Sequence, residues 1–142
     1  MFILDSKLQE DTVHVGDLTL CQVLLMNDVN YPWLILVPKC SNITEVYQLS
    51  DSEQLQLMQE ISYTAKQMET HFLAEKINVA ALGNVVPQLH VHIVARFRSD
   101  PAWPAPVWGK VKSRVYDSED LEATLNSVRA LLSERLHIPL DV

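Results

Sequence analysis

Apolar and polar side chains alternate in the sequence QLHVHIVAR, residues 88–96. This alternation predicts a β-strand, because successive side chains of a strand point to opposite faces of a sheet. The odd-numbered residues then face the core. His90 and His92 lie together on the other face, roughly 6.5–7 Å apart along the strand. The core-facing residues therefore anchor a surface that presents two neighbouring imidazoles.

Composition and turn residues predict the other elements. Their order is strand–strand–helix–strand–strand–helix, which is typical of an α+β fold with an antiparallel sheet. A length of 142 residues fits a single domain, residues 1–142. The predicted strands cover residues 18–25, 33–37, 76–82 and 89–96, and the predicted helices cover residues 50–73 and 118–136.

The first of these helices has the clearest start signal. Ser50 and Glu53 have the spacing of a capping box, in which each side chain bonds the other residue's backbone amide. Apolar residues at steps of three and four predict the core face of each helix. These residues are Leu55, Met58, Ile61, Ala65, Met68 and Phe72 in the first helix, and Leu121, Leu125, Val128, Leu132 and Leu136 in the second.

The segment RSDPAWPAPVWG, residues 98–109, contains three prolines and two tryptophans. It has too many prolines for a helix and too many aromatic residues for a disordered segment. We expect an ordered loop that packs on the surface, either against a second copy of the chain or over its own core.

Charge and composition exclude several classes of protein. The formal net charge of −7 argues against a protein that binds nucleic acid or a membrane surface. Basic residues nevertheless predominate between Lys76 and Tyr116, which suits a small anionic ligand. No apolar run is long enough to cross a bilayer, and the start MFILDSKLQED lacks the basic region of a secretory signal. Cys21 and Cys40 have no metal-binding spacing, so we expect reduced thiols and a cytoplasmic location.

The paired histidines allow three interpretations. They can lie on a solvated sheet face, or they can contribute two ligands to a zinc site. A tetrahedral zinc site needs three or four protein ligands, however, and the remaining histidines are distant in sequence. The third interpretation is catalysis, in which a neutral imidazole attacks a phosphorus atom and forms a phosphoramidate that water then hydrolyses. We predict no metal site and no cofactor.

Beyond the histidines, the order of motifs along most of the chain resembles the histidine triad (HIT) family of nucleotide hydrolases and transferases. The family signature is His-φ-His-φ-His-φ-φ, where φ is apolar, and this chain reads QLHVHIV, residues 88–94. YPWLILVPK and LSDSEQLQLM are similar to the strand and following helix of the family, and GNVVPQLHVHIVAR to its active-site turn and strand. DPAWP is similar to one bacterial branch. The resemblance implies a sheet of about five antiparallel strands with two main helices, and a homodimer.

The resemblance also implies roles for individual residues. His90 takes the position of the covalent nucleophile, and His92 that of the histidine that contacts phosphate and assists the leaving group. Asn84 corresponds to a polar residue near the phosphates. Asn27 and Asp28 fall in the loop that holds the ribose, although Asp28 is also suited to a plain turn role.

Two positions depart from the family pattern. Gln88 stands where the family has its first histidine. Glutamine forms hydrogen bonds but cannot carry charge or relay a proton, so we expect activity that is retained but slower. Trp33 stands where many members have histidine, and we hypothesise that Trp33 and Gln88 meet in space.

These features predict an enzyme that hydrolyses a P–O–P or P–N bond at an α-phosphorus through a nucleotidyl-His90 intermediate. Its substrate is then a small nucleotide, either a diadenosine polyphosphate or a nucleoside phosphoramidate. One alternative is a nucleotide-binding module with weak or lost catalysis, because Gln88 and Trp33 interrupt the polar set. Another is a metal-binding or purely structural domain.

Overall fold

The computed structural model describes residues 1–139 and contains three helices and five strands. The strands form one antiparallel sheet in the order β1-β2-β3-β5-β4, with the bounds given below. This arrangement confirms the predicted α+β fold with a five-stranded antiparallel sheet and two main helices. The elements are α1 (Ser6–Asp11), β1 (Thr12–Asp17), β2 (Cys21–Met26), β3 (Trp33–Pro38), a 3₁₀ turn (Val46–Gln48), α2 (Asp51–Phe72), β4 (Lys76–Ala80), β5 (Val91–Arg96) and α3 (Ser118–Leu131).

Sequence patterns did not predict the first helix or the first strand. The α1 helix has six residues, too few to show a periodic apolar face. Its N-cap is Asp5, whose side chain accepts a hydrogen bond from the backbone amide of Lys7 at 2.8 Å. The β1 strand contains Gly16, where a Cβ atom would lie 2.8 Å from the carbonyl oxygen of His137. Glycine is therefore required because the C-terminal segment passes directly against this strand.

The sheet has a buried cluster of apolar residues on each face. Helices α2 and α3 cover one face, and all six residues of the central strand β3 are buried. The second face is covered by shorter pieces of chain, namely α1, the residues before it and the loop that follows β5. His92 lies on this second face, opposite Ile35 of β3. Within residues 1–139, no helix is both long and apolar enough to pass through a bilayer.

The α2 helix begins as predicted but presents a different face at its start. Ser50 and Glu53 form the capping box, with the Glu53 amide donating to Ser50 Oγ at 3.2 Å. Leu55 and Met58 were predicted as core residues and this was wrong, since they are 68% and 59% exposed. The core side chain of this turn is Leu57, which is 2% exposed. Two apolar stripes overlap in this part of the helix, one with Leu55 and Met58 and the other with Leu57 and Ile61. The sheet contacts the stripe that contains Leu57 and Ile61.

Three strand and helix boundaries also differ from the predictions. The β5 strand begins at Val91, because the amide of Leu89 donates to Ile43 at 2.9 Å and so leaves the sheet. The β4 strand ends at Ala80, where its pairing with β5 stops. The α3 helix ends at Leu131 instead of residue 136, and turns follow it.

The β2 strand begins at Cys21 because the residues before it form a turn held by a buried carboxylate. The side chain of Glu60 in α2 accepts hydrogen bonds from the backbone amides of Leu20 and Cys21 at 2.8 and 2.9 Å. Burial raises the pKa of the Cys21 thiol, and the neighbouring Glu60 carboxylate raises it further. Cys21 is therefore a buried neutral thiol at the start of the strand.

Two leucines of α2 provide a matched test of the observed core. Leu57→Ala removes a buried side chain and should lower the free energy of unfolding by about 2–5 kcal/mol. Leu55→Ala removes an exposed side chain and should change it by less than about 0.5 kcal/mol. Urea denaturation followed by circular dichroism measures both values. Equal losses in the two variants would contradict the observed orientation of α2.

Candidate active site

His90 and His92 lie side by side on the floor of a cleft. Their ring centroids are 4.9 Å apart with an interplanar angle of 72°, and the residues are only 6% and 5% exposed. The cleft has a volume of about 300 Å³. It is lined by both histidines, by Lys7, Leu8 and Asp11 of α1, by Met26 of β2, by residues 82–86 and by Trp108.

The protonation of His90 follows from its hydrogen bond to the main chain. His90 Nδ1 lies 2.7 Å from the carbonyl oxygen of Gln88. Because a carbonyl oxygen only accepts hydrogen bonds, Nδ1 carries the proton. In the neutral ring the other nitrogen, Nε2, therefore has a free electron pair. This is the form of imidazole that attacks an electrophile.

His92 has the opposite arrangement. The indole nitrogen of Trp33 lies 3.0 Å from His92 Nδ1, and an indole N–H only donates, so Nδ1 is the acceptor and Nε2 carries the proton. Burial lowers the pKa of His92, the proximity of His90 adds to this effect, and together they bring the pKa to about 4. His92 is thus a neutral hydrogen-bond donor at pH 7. At Nε2, the neutral His90 ring therefore offers an acceptor and the His92 ring offers a donor.

Aromatic rings hold His92 on two sides. The ring centroids of Trp33 and Trp108 lie 5.6 and 5.0 Å from that of His92, in edge-to-face geometry. The two indoles also contact each other at 5.8 Å. Sequence reasoning singled out Trp33 but assigned no role to Trp108, whose contact with His92 depends on the path of the loop after β5.

A buried ion pair fixes that loop. Arg96 of β5 donates from Nε to Asp100 Oδ2 at 2.8 Å, and from Nη2 to the carbonyl oxygen of Ala105 at 2.8 Å. Burial by itself would raise the pKa of Asp100, but the bonds from Arg96 and from three loop amides outweigh it and hold the pKa at about 2. Ala102 and Val107 enter the apolar cluster beneath the loop. The loop is therefore ordered, as predicted, and it covers the chain's own core.

Asn27 and Asp28 lie in a second cleft beside the first. The two clefts share Lys7, Asp11 and Met26 among their lining residues. Asp28 is buried, and its Oδ1 accepts the amides of Asn30 at 3.0 Å and Arg114 at 3.4 Å. Asn27 Oδ1 accepts the amide of Tyr116 at 2.9 Å. Both side chains thus secure the segment that forms one side of this cleft.

Asn84 and Gln88 have different surroundings. Asn84 is exposed and lines the histidine cleft, after Gly83 has turned the chain with a φ of +83°. The side chain of Gln88 bonds the backbone of Ile3 and Asp5.

The hypothesis that Trp33 and Gln88 meet in space gains no support from the hydrogen bonds of the two side chains. The single indole N–H of Trp33 donates to His92, whereas both polar atoms of the Gln88 side chain bond the N-terminal residues. The two side chains therefore have different partners.

Within residues 1–139, no group of three or more histidine, cysteine, aspartate or glutamate side chains is placed to hold a metal ion. His92 Nδ1 already accepts from Trp33 and His90 Nδ1 donates to Gln88, so each ring has only Nε2 left for another partner. Two such nitrogens are fewer than the three or four ligands of a protein zinc site.

Comparisons with known proteins agree on one family. The model of the HIT domain family matches residues 7–99. A histidine triad protein from Marinobacter aquaeolei VT8 is 45% identical, with a TM-score of 0.92 over 95% of this chain and 98% of that one. A histidine triad protein from Sinorhizobium meliloti 1021 is 43% identical, with a TM-score of 0.90 over 93% and 98%. One from Bradyrhizobium japonicum is 44% identical, with a TM-score of 0.88 over 91% and 96%.

No curated protein matches the chain. The family model nevertheless covers more than half of its length, and the three structures are alike in both sequence and fold. Members of this family are generally nucleotide hydrolases or transferases. On this evidence the chain belongs to the histidine triad (HIT) family.

Proposed function

We propose that the protein is a nucleotidyl hydrolase that cleaves a phosphoanhydride at the α-phosphorus of a small nucleotide, with a diadenosine polyphosphate as the model substrate. The observation that supports this proposal is the pair of complementary tautomers. His90 offers an unprotonated Nε2 to the cleft, and its neighbour His92 carries a proton on Nε2. A nucleophile and a donor to phosphoryl oxygens are the two groups that the first step needs.

In the first step, the electron pair on His90 Nε2 forms a bond to the α-phosphorus. The P–O bond to the leaving phosphate breaks, and its electron pair departs with that oxygen. The modified ring becomes positively charged, and the Gln88 carbonyl oxygen 2.7 Å from Nδ1 stabilises this charge. In the second step, a water oxygen bonds the phosphorus, the P–N bond breaks and its electron pair returns to Nε2. The proton from water goes to solvent.

The protonation of His92 favours a phosphoanhydride over a phosphoramidate. A pKa of about 4 makes His92 a neutral hydrogen-bond donor that stabilises charge on the phosphoryl oxygens but has no surplus proton to give. A phosphate leaving group, whose second pKa is near 6, departs without being protonated. An amine leaving group needs a proton, and glutamine at position 88 cannot relay one.

The remaining predicted site residues fit substrate binding in this proposal. Asn84 lies on the rim of the histidine cleft, where its amide can donate to phosphate oxygens. Asn27 and Asp28 lie in the adjoining cleft and are assigned to the ribose. Asp28 Oδ1 already accepts backbone amides, so Oδ2 is the oxygen that would accept from a ribose hydroxyl.

The proposal also includes a homodimer and a cytoplasmic location. The β4 strand is an edge of the sheet, and Val79 on it and Leu82 and Val85 beyond it are about half or more exposed. An apolar sheet edge of this kind is suited to pairing with a second copy. Both cysteines are free thiols, which fits a reducing compartment. Light scattering after gel filtration measures the oligomeric state.

The second candidate is a nucleotide-binding protein with little catalysis. It is favoured by the orientation of Gln88, whose side chain bonds the N-terminal residues and leaves His90 without a side-chain partner from that position. This candidate requires nucleotide binding without turnover, and the next experiment separates it from the first.

Substitution of His90 tests the nucleophile. His90→Ala should lower the hydrolysis of diadenosine triphosphate by at least about 10³-fold, because the covalent route is lost. Mass spectrometry of the wild-type protein after brief exposure to this substrate should find a nucleotidyl adduct on the peptide that contains His90. A nucleoside phosphoramidate, tested in parallel, should be the poorer substrate.

His71→Ala, at an exposed histidine of α2, is the matched control and should retain full activity. Equal turnover by His90→Ala and His71→Ala would refute the proposed nucleophile. Nucleotide binding by the wild type with no turnover of either substrate would support the second candidate.

Trp33→Phe tests the protonation of His92. Phenylalanine keeps an aromatic ring but removes the N–H group, so His92 no longer has one favoured tautomer. Nitrogen-15 NMR should show His92 protonated at Nε2 in the wild type and a mixture in the variant. Turnover should fall roughly tenfold, as expected for one lost hydrogen bond to a catalytic group.

The pH dependence of His92 follows from its lowered pKa of about 4. The ring stays neutral from pH 8 down to about pH 5 and gains its proton only as the pH falls further, so its titration should not limit activity near neutrality. Trp103→Phe is the control for Trp33→Phe and should leave the His92 signal unchanged, because the ring of Trp103 lies against Arg96. A His92 signal that titrates near pH 6.5 in the wild type would contradict this prediction.

A further inference from the structure

The side chain of Gln88 bonds two backbone groups of the N-terminal strap, which we define as residues 2–5. The amide of Asp5 donates to Gln88 Oε1 at 2.8 Å, and Gln88 Nε2 donates to the carbonyl oxygen of Ile3 at 2.9 Å. The two groups flank Leu4 and point to the same side of the extended chain. Gln88 therefore pairs with the strap as a peptide group of a neighbouring strand would.

This pairing requires a carboxamide. A glutamine side chain holds one acceptor and one donor side by side on the same carbon, in the geometry of a backbone peptide. Glutamate accepts from the Asp5 amide but cannot donate to Ile3. The two nitrogens of a histidine ring point in divergent directions, so one ring cannot satisfy both groups of the strap.

The strap leads directly into a wall of the cleft. Asp5 is the last residue of the strap and the N-cap of α1, and its carbonyl oxygen accepts the amide of Gln9 at 3.0 Å in the first turn. Lys7, Leu8 and Asp11 of this short helix line the histidine cleft. Leu8 anchors α1 in the apolar cluster on this face of the sheet, and the strap adds a second constraint at the start of the helix.

The strap has apolar anchors as well. Phe2 and Leu4 pack against the apolar cluster on this face of the sheet, whereas Ile3 between them is 72% exposed. Loss of the Gln88 bonds should therefore loosen the strap without detaching it. The backbone carbonyl oxygen of Gln88 meanwhile accepts a hydrogen bond from His90 Nδ1. One residue therefore contacts both the proposed nucleophile and the strap.

From these contacts we propose that Gln88 is a positioning residue that holds the N-terminal strap and α1 in place as a wall of the nucleotide cleft. It serves substrate binding through this wall and takes no part in proton transfer. The role in binding rests on the proposed function, whereas the role in holding the strap does not.

Hydrogen exchange and nucleotide titration on the full chain test the two parts separately. In Gln88→Ala, the amide of Asp5 should exchange at least about tenfold faster by NMR, and the Gln9 amide should also lose protection. The affinity for AMP should fall by roughly 3- to 10-fold, since a mobile wall must be ordered on binding. Gln88→Glu keeps the acceptor for the Asp5 amide, so the exchange of that amide should increase less than in Gln88→Ala. This variant tests the same hydrogen bonds if Gln88→Ala folds poorly.

Gln54→Ala is the matched control. Gln54 also makes a side-chain bond to a backbone carbonyl, from Nε2 to Leu49 at 3.0 Å, but it lies at the start of α2 and outside the cleft. Exchange at Asp5 and the affinity for AMP should both remain at the wild-type level in this variant.

Gln88→His separates positioning from catalysis, because it introduces the histidine that the family pattern has at this position. We expect it to release the strap, with faster exchange at Asp5, and to weaken AMP binding. Higher kcat with unchanged exchange would overturn the proposal and assign the position to proton transfer.

Unchanged exchange at Asp5 and Gln9 in Gln88→Ala would also overturn the positioning role. Faster exchange with unchanged AMP affinity would overturn the role in the cleft. A wild-type protein that binds no AMP would overturn the proposed function and with it the binding role, whereas the exchange measurement still decides whether Gln88 holds the strap.

Discussion

Burial of β5 on both faces is the constraint on which the site depends. All six of its residues are buried, so each polar group on it needs a partner inside the protein. Trp33 donates a hydrogen bond to His92. Arg96 donates hydrogen bonds to Asp100, Asn78 and the carbonyl oxygen of Ala105. Loss of one partner from a buried ion pair typically costs about 3–5 kcal/mol, so these partners are fixed parts of the structure. The hydrogen bonds that the buried strand needs thereby also determine the geometry of the face that carries the two histidines.

The two ends of β5 make different contributions to the cleft. His92, the proposed donor to the phosphoryl oxygens, lies near the start of the strand. Arg96 at its end holds the loop that carries Trp108 back over His92. Arg96 also lies 5.8 Å from the ring of Tyr31 and 5.7 Å from that of Trp103, so the ion pair is enclosed by aromatic side chains. The aromatic wall of the cleft is thus set by a buried charge pair that does not line the cleft.

Local sequence signals predicted the elements that have strong local causes. The alternation around His90 and His92 and the capping box at Ser50 are such signals, and both appear in the structure. The α1 helix was missed because six residues show little helical periodicity, and the β1 strand was missed because its sequence, TVHVGD, contains glycine and aspartate in place of a longer apolar run. The wrong assignment of Leu55 has a similar cause, since only contact with the sheet decides between two overlapping stripes. The sequence showed that Gln88 departs from a pattern, but its partners lie 83 and 85 residues away, and no local rule connects them.

The extended strap has a further consequence for how such a protein can diverge. The side chain of Gln88 bonds the backbone of the strap, and the side chain of Ile3 points to solvent. The fold therefore tolerates sequence changes at Ile3. Changes in the neighbouring strap residues alter the wall of the cleft without altering a histidine or the strand that bears it. Ligand preference can then be adjusted at one end of the chain while the chemical step is conserved elsewhere.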